Sequence, residues 1–349
     1  MFSDLSFIEG EYLRDVINQP QALEDTLEKL ESSKALLNLV KRLHAGSFHR
    51  VVLTGMGSSF YALHPLCLDL INQGFSAIMI ETSELVHYKS RFFDPKTLIV
   101  AVSQSGQSAE MVRLIEVNQK RAAIIAVTNT PESPLALQSD AALLTCAGDE
   151  FSVSCKTYVT ALMALKWLSH VFCEGDTRHT RQELWQAAPA AAAYLLNWKA
   201  HVRSLMPKLD KIRHLFLIGR GASLAAVGTG ALIVKEADHF HAEGMSSAAF
   251  RHGPFEMLGD ETFVLVFSGD VRTKELNIRL FADILEQGGR AEMCGEEASS
   301  LAFRFPDAAA GIRPILEIMP VQMITLALAA NAKREPGRFE LATKVTITE

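Results

Sequence analysis

The sequence has little of what marks secreted, membrane-spanning or metal-dependent proteins. Only five cysteines are scattered along its 349 residues, with no CxxC pair, which argues against a disulfide framework or a zinc site. No apolar run reaches about 18 residues, the length of a membrane span, and the N-terminus lacks the charged region of a signal peptide. No cluster of His, Asp and Glu has ligand spacing. We therefore expect a cytoplasmic protein with reduced thiols, no metal and no membrane partner.

Signals for nucleic acid and for nucleotide cofactors are also missing. The formal net charge is −6, and the basic residues form no block, so a nucleic-acid partner is not expected. The turn Gly55–Gly57 invites a dinucleotide interpretation, with Glu81 where a ribose-binding acid could lie. The third glycine of that motif is replaced by Phe60 in this turn and by Leu224 in a similar one. Walker, HExxH and GxSxG motifs are absent as well, and we expect no cofactor.

The most informative feature present is an apolar run that ends abruptly in polar residues. Thr97–Val102 is followed by the turn Ser103–Ser108 and then by a helix-like segment, Ala109–Gln119. This order predicts a buried parallel strand that leads into a helix N-terminus. Unpaired backbone N–H groups there can hold an anion. Taken alone, however, an ordinary polar cap of a helix explains the same turn.

An internal repeat gives that turn a context. Val51–Ser59 resembles Leu215–Ser223 at an offset of 164 residues, and each half has another apolar strand that ends near Ser103 or Ser268. Alternating strands and helices predict doubly wound α/β units, whose ligands bind at the carboxyl ends of the strands. The predicted helices between these strands are Tyr61–Asn72 and Leu224–Asp238, and further strands are predicted at Ala77–Glu81, Ala123–Thr128 and Ala141–Cys146.

The predicted fold class is therefore α/β, with two doubly wound parallel-sheet domains of flavodoxin-like type in tandem and an N-terminal helical extension. Gln21–Leu43 has apolar residues at helical spacing, and Pro20 suits the start of that helix. The segment Asp176–Leu205 is rich in alanine and helical in period. We expect a helical segment at 1–45, a first domain at 46–180, a helical connection at 181–205, a second domain at 206–335 and a C-terminal tail at 336–349 that closes over the site.

Several motifs follow one another in a specific order over nearly the whole chain. They are Ile17–Pro20, Gly57–Ser59, Ser103–Gly106, Gly148–Glu150, Lys235-Glu236, His241–Glu243, His252–Pro254 and Leu341–Thr346. In these motifs the chain resembles the tandem SIS (sugar isomerase) domain family, which includes the isomerase half of the glucosamine-6-phosphate synthases. The synthases also carry a glutaminase domain whose nucleophile is the cysteine after the initiator methionine. Because residue 2 here is Phe2, we expect no glutaminase activity.

The resemblance also implies which residues form the site. Glu236 corresponds to the acid/base that moves a proton between C1 and C2, His252 to a ring-opening histidine from the neighbouring subunit, and Lys344 to a tail lysine that forms an imine. It thus implies a homodimer with a shared active site. The residues expected to bind the phosphate and nearby hydroxyl groups are Gly57, Ser58, Ser59, Ser103, Gln104, Ser105, Ser108, Val153 and Ser154.

The chain departs from the synthase pattern at four places, one of which is the loop Ser152–Thr157, which has the family's position but not its usual Val-Ala-Ser-Thr-Lys sequence. A lysine three residues before the catalytic glutamate is replaced by Ile233, and an upstream acid of the same helix falls at Thr229. In the tail, the preceding residues align Thr343 with the imine-forming lysine, and Lys344 fits only after a shift of one residue. These departures weaken the case for simple ketose–aldose isomerisation by the synthase route, but they leave the glutamate and the histidine in place.

Three functions remain open from the sequence. The first is an enzyme that acts on a 6-phosphorylated amino sugar or fructosamine as an isomerase, deaminase or deglycase. The second is a catalytically silent phosphosugar-binding or sensing protein, and the third is a plain aldose–ketose phosphosugar isomerase. The second repeat has Asp270 where the first has Ser105, and an acid there should repel phosphate. We therefore expect one phosphate site per chain, in the first domain.

Overall fold

The computed structural model describes residues 5–173, 177–306, 308–341 and 343–346. The strands in these ranges form two sheets in which every neighbouring pair is parallel. The strands are β1 (Arg50–Gly55), β2 (Ala77–Glu81), β3 (Thr97–Val102), β4 (Ala123–Thr128), β5 (Ala141–Leu144), β6 (His214–Gly219), β7 (Ala242–Ser246), β8 (Thr262–Phe267) and β9 (Arg290–Cys294).

Helices connect the strands and cover both sheets. They are α1 (Glu11–Ile17), α2 (Gln19–Lys29), α3 (Lys34–His44), α4 (Gly57–Tyr61), α5 (His64–Asn72), α6 (Thr82–Tyr88), α7 (Ala109–Asn118), α8 (Pro134–Gln138), α9 (Lys156–Phe172), α10 (Thr177–Leu184), α11 (Ala187–Leu195), α12 (Trp198–Leu205), α13 (Leu224–Asp238), α14 (Ser247–Arg251), α15 (Lys274–Glu286), α16 (Arg313–Leu316) and α17 (Met319–Ala332). Short 3₁₀ turns occur at Ser6–Ile8, Ser90–Phe92, Gly221–Ser223 and Pro254–Met257.

The chain divides into two compact units, each built from three separate stretches of sequence. The five-strand unit contains β1 to β5 and comprises the described residues of Gln21–Asp149, Lys156–Trp185 and Ala342–Glu349. The four-strand unit contains β6 to β9 and comprises the described residues of Met1–Pro20, Glu150–Cys155 and Gln186–Leu341.

The sheet of the five-strand unit has the order β2-β1-β3-β4-β5. Every residue of β3 is buried, as expected for a central parallel strand that helices cover on both faces. Sequence order reverses direction between β1 and β3, which pair with Leu53 opposite Val100. In an open parallel sheet, ligands bind outside the carboxyl ends of the strands at such a switch point.

The four-strand unit repeats this arrangement with the order β7-β6-β8-β9. Its switch point lies between β6 and β8, where Leu217 pairs with Leu265. Helix α13 is buried along most of its length, which requires small residues where it meets the sheet. At Gly230, for example, an added Cβ atom would lie 2.8 Å from Leu217 Cδ1.

The predicted α/β class with two tandem parallel-sheet domains and a helical N-terminal segment is confirmed. The one predicted helix over Gln21–Leu43 is wrong in detail, because α2 ends at Lys29 and α3 begins at Lys34. Ser33 explains the new start, since its hydroxyl accepts a hydrogen bond from the backbone N–H of Leu36 at 3.2 Å. The predicted strand at Ala141–Cys146 ends earlier, at Leu144.

One helical stretch, Arg313–Ala332, is long and apolar enough to cross a membrane on length and composition alone. Its most apolar window is 89% buried within the protein, as expected for a core helix of a globular fold. The stretch joins α16 to α17 through Glu317 and Ile318, and the charge of Glu317 explains why no long uncharged run is visible in the sequence.

Candidate active site

Seven of the nine predicted binding residues lie in the five-strand unit, at the switch point of its sheet. Gly57, Ser58 and Ser59 begin α4 directly after β1, and Gly57 has a φ of +51°. Ser103, Gln104 and Ser105 form the turn after β3, and Ser108 is the N-cap of α7. The structure therefore brings these residues to two adjacent strand ends, as the sequence predicted for that edge.

The turn after β3 is held by hydrogen bonds that leave its hydroxyl protons available. Ser103 Oγ accepts from the N–H of Gly106 at 3.1 Å, and Ser105 Oγ accepts from the N–H of Gln107 at 3.3 Å. Gln104 O accepts from the N–H of Asn129 at 3.1 Å, which ties the turn to the end of β4. Because each serine oxygen already accepts from the backbone, its O–H can donate to an anion in the turn.

Gly106 fixes the shape of this turn. It has a φ of +62°, a conformation that glycine adopts without strain. A Cβ atom at Gly106 would lie 2.2 Å from Ser133 Oγ, and Ser133 is itself engaged as the N-cap of α8. The carbonyl oxygen of Gly106 accepts a hydrogen bond from the N–H of Leu135 at 3.1 Å. The turn thus depends on a glycine at this position.

The C-terminal tail contacts the helix that follows the turn. Thr346 O accepts a hydrogen bond at 3.1 Å from the N–H of Ala109, the first residue of α7. Lys344, two residues earlier, is partly buried, whereas Thr343 is exposed and donates its hydroxyl to Val345 O at 2.8 Å. The N-terminus of α7 is also where a helix dipole favours negative charge. The tail and the predicted phosphate turn therefore meet at one helix end.

Glu236 lies near the C-terminal end of α13, in the four-strand unit. Its side chain is partly buried, and this burial raises the pKa of Glu236 from 4.5 to about 7. The negative charge of Glu150 contributes to this rise and the neighbouring Lys235 opposes it, so the pKa of about 7 is the net result of all three effects. A carboxyl group with a pKa near neutrality can accept a proton and return it, as a general acid/base must.

The loop 150–155 carries the other two predicted binding residues and belongs to the same unit as Glu236. Val153 is buried, and Ser154 is partly buried. Glu150 Oε1 accepts from the N–H of Cys155 at 2.9 Å, and the N–H of Phe151 donates to a carboxylate oxygen of Asp15 on α1 at 2.7 Å. Val153 and Ser154 therefore belong to the unit that contains Glu236, and not to that of the serine turns.

Two buried groups in this unit were not predicted. Tyr12 is buried, and its hydroxyl is 3.0 Å from Thr325 Oγ1. Burial raises the pKa of Tyr12, and the charges of Cys155, Asp238 and Glu236 act in the same direction. Asp238 is buried too, its pKa is raised by burial, and neither carboxylate oxygen has a hydrogen-bond partner in the described part of the chain. In the sequence, Asp238 follows Lys235 and Glu236 at the end of α13, where an acid is ordinarily expected to be exposed.

His252 occupies a different setting. It is exposed, it is the C-cap residue of α14, and its backbone N–H donates to Ala249 O at 2.9 Å. Gly253 follows with a φ of +144° and leads into the turn that begins at Pro254. Among the described residues, no hydrogen bond or ion pair holds the imidazole ring. The ring is thus presented on the outside of its own chain.

The corresponding strand ends of the four-strand unit hold internal ion pairs and carboxyl groups. The Ser223 hydroxyl, after β6, donates to Glu317 Oε1 at 2.7 Å. Asp270, after β8, pairs with Arg272 at 3.1 Å. Glu317 is fully buried, and this burial raises its pKa to about 7. Acidic groups thus stand where the first repeat presents serine hydroxyls. Within the described ranges no group of three or more His, Cys, Asp and Glu side chains could hold a metal ion.

Residues 47–171 and 208–332 each match the family described as the SIS domain. Since these two matches cover more than half of the sequence, the chain belongs to the SIS domain family, and the predicted resemblance is confirmed. The paired matches also coincide with the two parallel sheets, so the internal repeat is a repeat of this domain.

Named relatives point in the same direction. The chain is 27% identical to the isomerizing glutamine–fructose-6-phosphate aminotransferase of Pyrococcus horikoshii, over 96% of this chain and 57% of that protein. It thus spans little more than half the length of such curated relatives. Among solved structures, it is similar to the C-terminal domain of the glucosamine-fructose-6-phosphate aminotransferase from Francisella tularensis, with a TM-score of 0.82, 19% identity, and coverage of 93% of this chain and 97% of that chain.

A second solved structure comes from a protein with a different name. Glucosamine-6-phosphate deaminase from Thermotoga maritima gives a TM-score of 0.78 at 19% identity, covering 97% of this chain and all of the other. At such identities the similarity establishes the fold alone. Proteins named as aminotransferase and as deaminase thus share the fold of this chain, and a choice between such activities must come from the site.

Proposed function

We propose that this protein is a phosphosugar-processing enzyme that acts on a 6-phosphorylated amino sugar or fructosamine. It would open the sugar ring, move a proton between C1 and C2, and release or rearrange the amine. The observation that carries the proposal is Glu236, a partly buried carboxyl group whose pKa is raised to about 7. The names of the relatives, which include an amino-sugar-phosphate deaminase, support the same substrate class.

The serine turns supply the proposed phosphate site. Ser103 and Ser105 can donate their hydroxyl protons, because their oxygens already accept backbone N–H groups. The N-terminus of α7 adds the positive end of a helix dipole, with Ser108 as its N-cap. Short hydroxyl donors at a helix N-terminus suit the phosphate group of the substrate. Gly57, Ser58 and Ser59 would complete this site from the neighbouring strand end.

Glu236 would supply the proton transfer. In the open-chain form of a 2-amino aldose, the carboxylate of Glu236 removes the C2 proton while O1 takes up a proton, which gives a C1–C2 enolamine. Glu236 then delivers its proton to C1, and the amine nitrogen gives up one proton as the double bond moves to C2. This shift converts the C2 amine into an imine, and water then hydrolyses the imine to a ketose and ammonia. The reaction consumes one water molecule and needs no oxidant or reductant. A carboxyl group with a pKa near 7 is half ionised at neutral pH, which suits both halves of the transfer.

We further propose a homodimer in which His252 completes the site of the partner. The exposed ring would move a proton between ring oxygens during ring opening, a task that suits imidazole near neutral pH. Mixing Glu236→Gln chains with His252→Ala chains tests this. Random pairing of equal amounts should restore about a quarter of the wild-type activity, because each mixed dimer then has one intact site. A mixture as inactive as its two parents would contradict the shared site.

Lys344 is the proposed imine-forming residue of the tail. Its partial burial beside the contact between Thr346 and Ala109 supports it over Thr343, which is exposed. An amine on a flexible stem is the nucleophile that an open-chain ketose requires. A Lys344→Arg variant should therefore keep the charge but lose any adduct that borohydride traps on a ketose phosphate, and mass spectrometry detects the adduct.

The decisive experiment measures turnover of glucosamine 6-phosphate and of fructosamine 6-phosphates, by the release of ammonia or amine and the formation of ketose or aldose phosphate. Glu236→Gln should reduce kcat by at least about a hundredfold, the usual contribution of a general acid/base. It should still bind the sugar phosphate in calorimetry. Glu286→Gln, an exposed change of equal charge on α15 in the same unit, serves as the matched control. Full activity of Glu236→Gln would refute the mechanism.

A binding or sensing protein is the second candidate, and one observation favours it. Ile233, which stands where the synthases have a lysine, is completely buried, so α13 offers no amine at this position. If sugar phosphates raise the melting temperature of the protein but none is converted, this function replaces the enzyme. Interconversion of aldose and ketose phosphates without any reaction of amines would instead identify a plain isomerase.

A further inference from the structure

We propose that the five-strand unit contains a second ligand site, a cavity beside α3, α9 and α10 that binds a small organic anion with an apolar chain. This α3/α9 cavity has a volume of about 610 Å³, within the range of ligand sites in proteins. All of its lining residues belong to the five-strand unit, and none belongs to the serine turns. The two sites share no residue, and binding here does not depend on the reaction proposed for Glu236.

Part of the α3/α9 cavity wall is buried and apolar. Val40 on α3 and Trp167 and Val171 on α9 line it, and each is at most 5% exposed. Leu37 also lines the cavity, about one helical turn before Val40, but it is 43% exposed. A large apolar side chain thus remains in contact with water beside a buried apolar wall. An apolar chain that covers Leu37 would remove this surface from water, which favours binding.

Basic residues outnumber acids in the lining. The three cations are Lys41, Arg178 and Arg181, and Glu31 is the one acid among the described lining residues. The excess is local, because the chain as a whole has a formal net charge of −6. Among the described residues, no acid forms an ion pair with Lys41 or Arg181. A cleft in which one sign of charge predominates attracts ligands of the opposite sign.

Arg181 on α10 is held in place by contacts within the protein. Its Nη2 group donates to Leu30 O at 2.7 Å, and its Nη1 group donates to Leu27 O. The guanidinium carbon lies 5.1 Å from the centroid of the Trp167 ring, in a cation–π contact. Both hydrogen-bond acceptors are neutral carbonyl oxygens, so they leave the positive charge uncancelled. A cation fixed in this way loses little conformational freedom when an anion binds.

Two lining residues have polar atoms without a hydrogen-bond partner in the part of the chain that the structure describes. They are Trp167 Nε1, in a residue that is 4% exposed, and Ser32 Oγ. Buried polar groups normally have a partner, so each such atom requires an explanation. An indole N–H can only donate, and the partner that it lacks is therefore an acceptor. An oxygen of an organic anion is such an acceptor, which agrees with the positive charge of the lining.

Isothermal titration calorimetry with octanoate tests the site, because this probe combines a carboxylate with an apolar chain. Octanoate should bind, and octylamine, a cation with the same chain length, should bind at least about tenfold more weakly, since the basic residues repel it. Lys41→Gln should weaken the binding of octanoate by about two- to fivefold, the usual effect of one exposed charge. Lys34→Gln, an exposed lysine of the same helix outside the lining, is the matched control and should leave the affinity unchanged.

Labelling of tryptophan with ¹⁵N shows where octanoate binds. The three tryptophans give three indole N–H resonances, and Trp167→Phe identifies that of Trp167 by its loss. Octanoate should shift this resonance and leave that of Trp198, on α12 in the four-strand unit, unmoved. In calorimetry, Leu37→Trp should abolish the binding, because the larger side chain fills part of the cavity. Since Leu37 is exposed, a melting curve of this variant should stay close to that of wild type.

Three results would overturn the proposal. Equal affinities for octanoate and octylamine would identify an apolar pocket without preference for charge. Millimolar octanoate that produces neither heat nor a shift of the Trp167 resonance would exclude the ligand class, as would unchanged binding to folded Leu37→Trp. Loss of self-association in Leu37→Trp, in a protein that binds no octanoate, would assign the cavity to a contact between copies of the chain. None of these results bears on Glu236, whose test is the turnover of sugar phosphates.

Discussion

Glu317 gives the sharpest stability prediction, because it is a fully buried carboxyl group of the four-strand unit, whereas the serine turns belong to the five-strand unit. It lies between α16 and α17, is 1% exposed, and accepts the Ser223 hydroxyl with one oxygen. The other oxygen, Oε2, has no hydrogen-bond partner in the described residues. The charged form of such a group is poorly solvated, and this explains the raised pKa. We predict that Glu317→Gln stabilises the protein at alkaline pH.

The magnitude follows from the two protonation states. The pKa of Glu317 is about 7 in the folded protein and 4.5 as the ordinary value, so the folded state holds a proton that the unfolded chain has already lost between these pH values. The contribution of Glu317 to the free energy of unfolding is therefore fully present below pH 4.5 and decreases as the pH rises to about 7. The decrease amounts to about 3 kcal/mol, and above pH 7 it is complete. A neutral amide avoids this loss and still offers an oxygen to Ser223.

Urea unfolding followed by circular dichroism at pH 5 and pH 8 measures the effect. The free energy of unfolding of Glu317→Gln, minus that of wild type, should be larger at pH 8 than at pH 5 by about 2 to 3 kcal/mol. Other buried acids, such as Asp238, affect both proteins equally and cancel from this difference. Glu286→Gln, exposed on α15, should show no such change. A difference between variant and wild type that is the same at both pH values would refute the argument.

Two further substitutions test the packing of each unit. Gly106→Ala should destabilise the protein by roughly 2 kcal/mol, because the residue has a positive φ and its new methyl group would overlap Ser133; a melting curve measures this, and stabilisation by inorganic phosphate should weaken in parallel. An unchanged melting temperature would contradict the strained turn. Tyr12→Phe removes the hydroxyl that pairs with Thr325 and should cost about 1 kcal/mol in urea unfolding. Its stabilisation by phosphate should equal that of wild type, and a loss of that response would show that the change reaches beyond its own unit.

Local sequence signals predicted much of the fold. The bounds of β2, β4 and α13 agree with the predicted ones at both ends, because each is a continuous apolar or helix-forming run between clear breaks. The interruption between α2 and α3 was missed, since the apolar spacing continues through it and only the cap at Ser33 marks the new start. Local sequence patterns thus predicted the presence of helices and strands better than the residues at which they end.

Features of the site that depend on distant residues were beyond such signals. The serine turns could be predicted because each turn follows its strand directly in the sequence. In contrast, the influence of Glu150 on Glu236 arises only because a short loop joins the unit that contains α13. The contact between Thr346 and Ala109 likewise brings the end of the chain to a helix near its first third. Interactions between residues so far apart in sequence leave no periodicity or motif that would predict them, because they form only when the chain folds.

The division of the chain into interleaved stretches affects the order in which each unit is synthesised and the fragments in which it can be expressed. The four-strand unit takes residues from 1–20, from Glu150–Cys155 and from Gln186–Leu341. During synthesis, α1 therefore leaves the ribosome long before the strands of its unit. Tyr12 on α1 can form its hydrogen bond with Thr325 only after α17 has been synthesised. Expression of 206–335 by itself would lose Glu150, whose charge raises the pKa of Glu236, and Tyr12, the hydrogen-bond partner of Thr325.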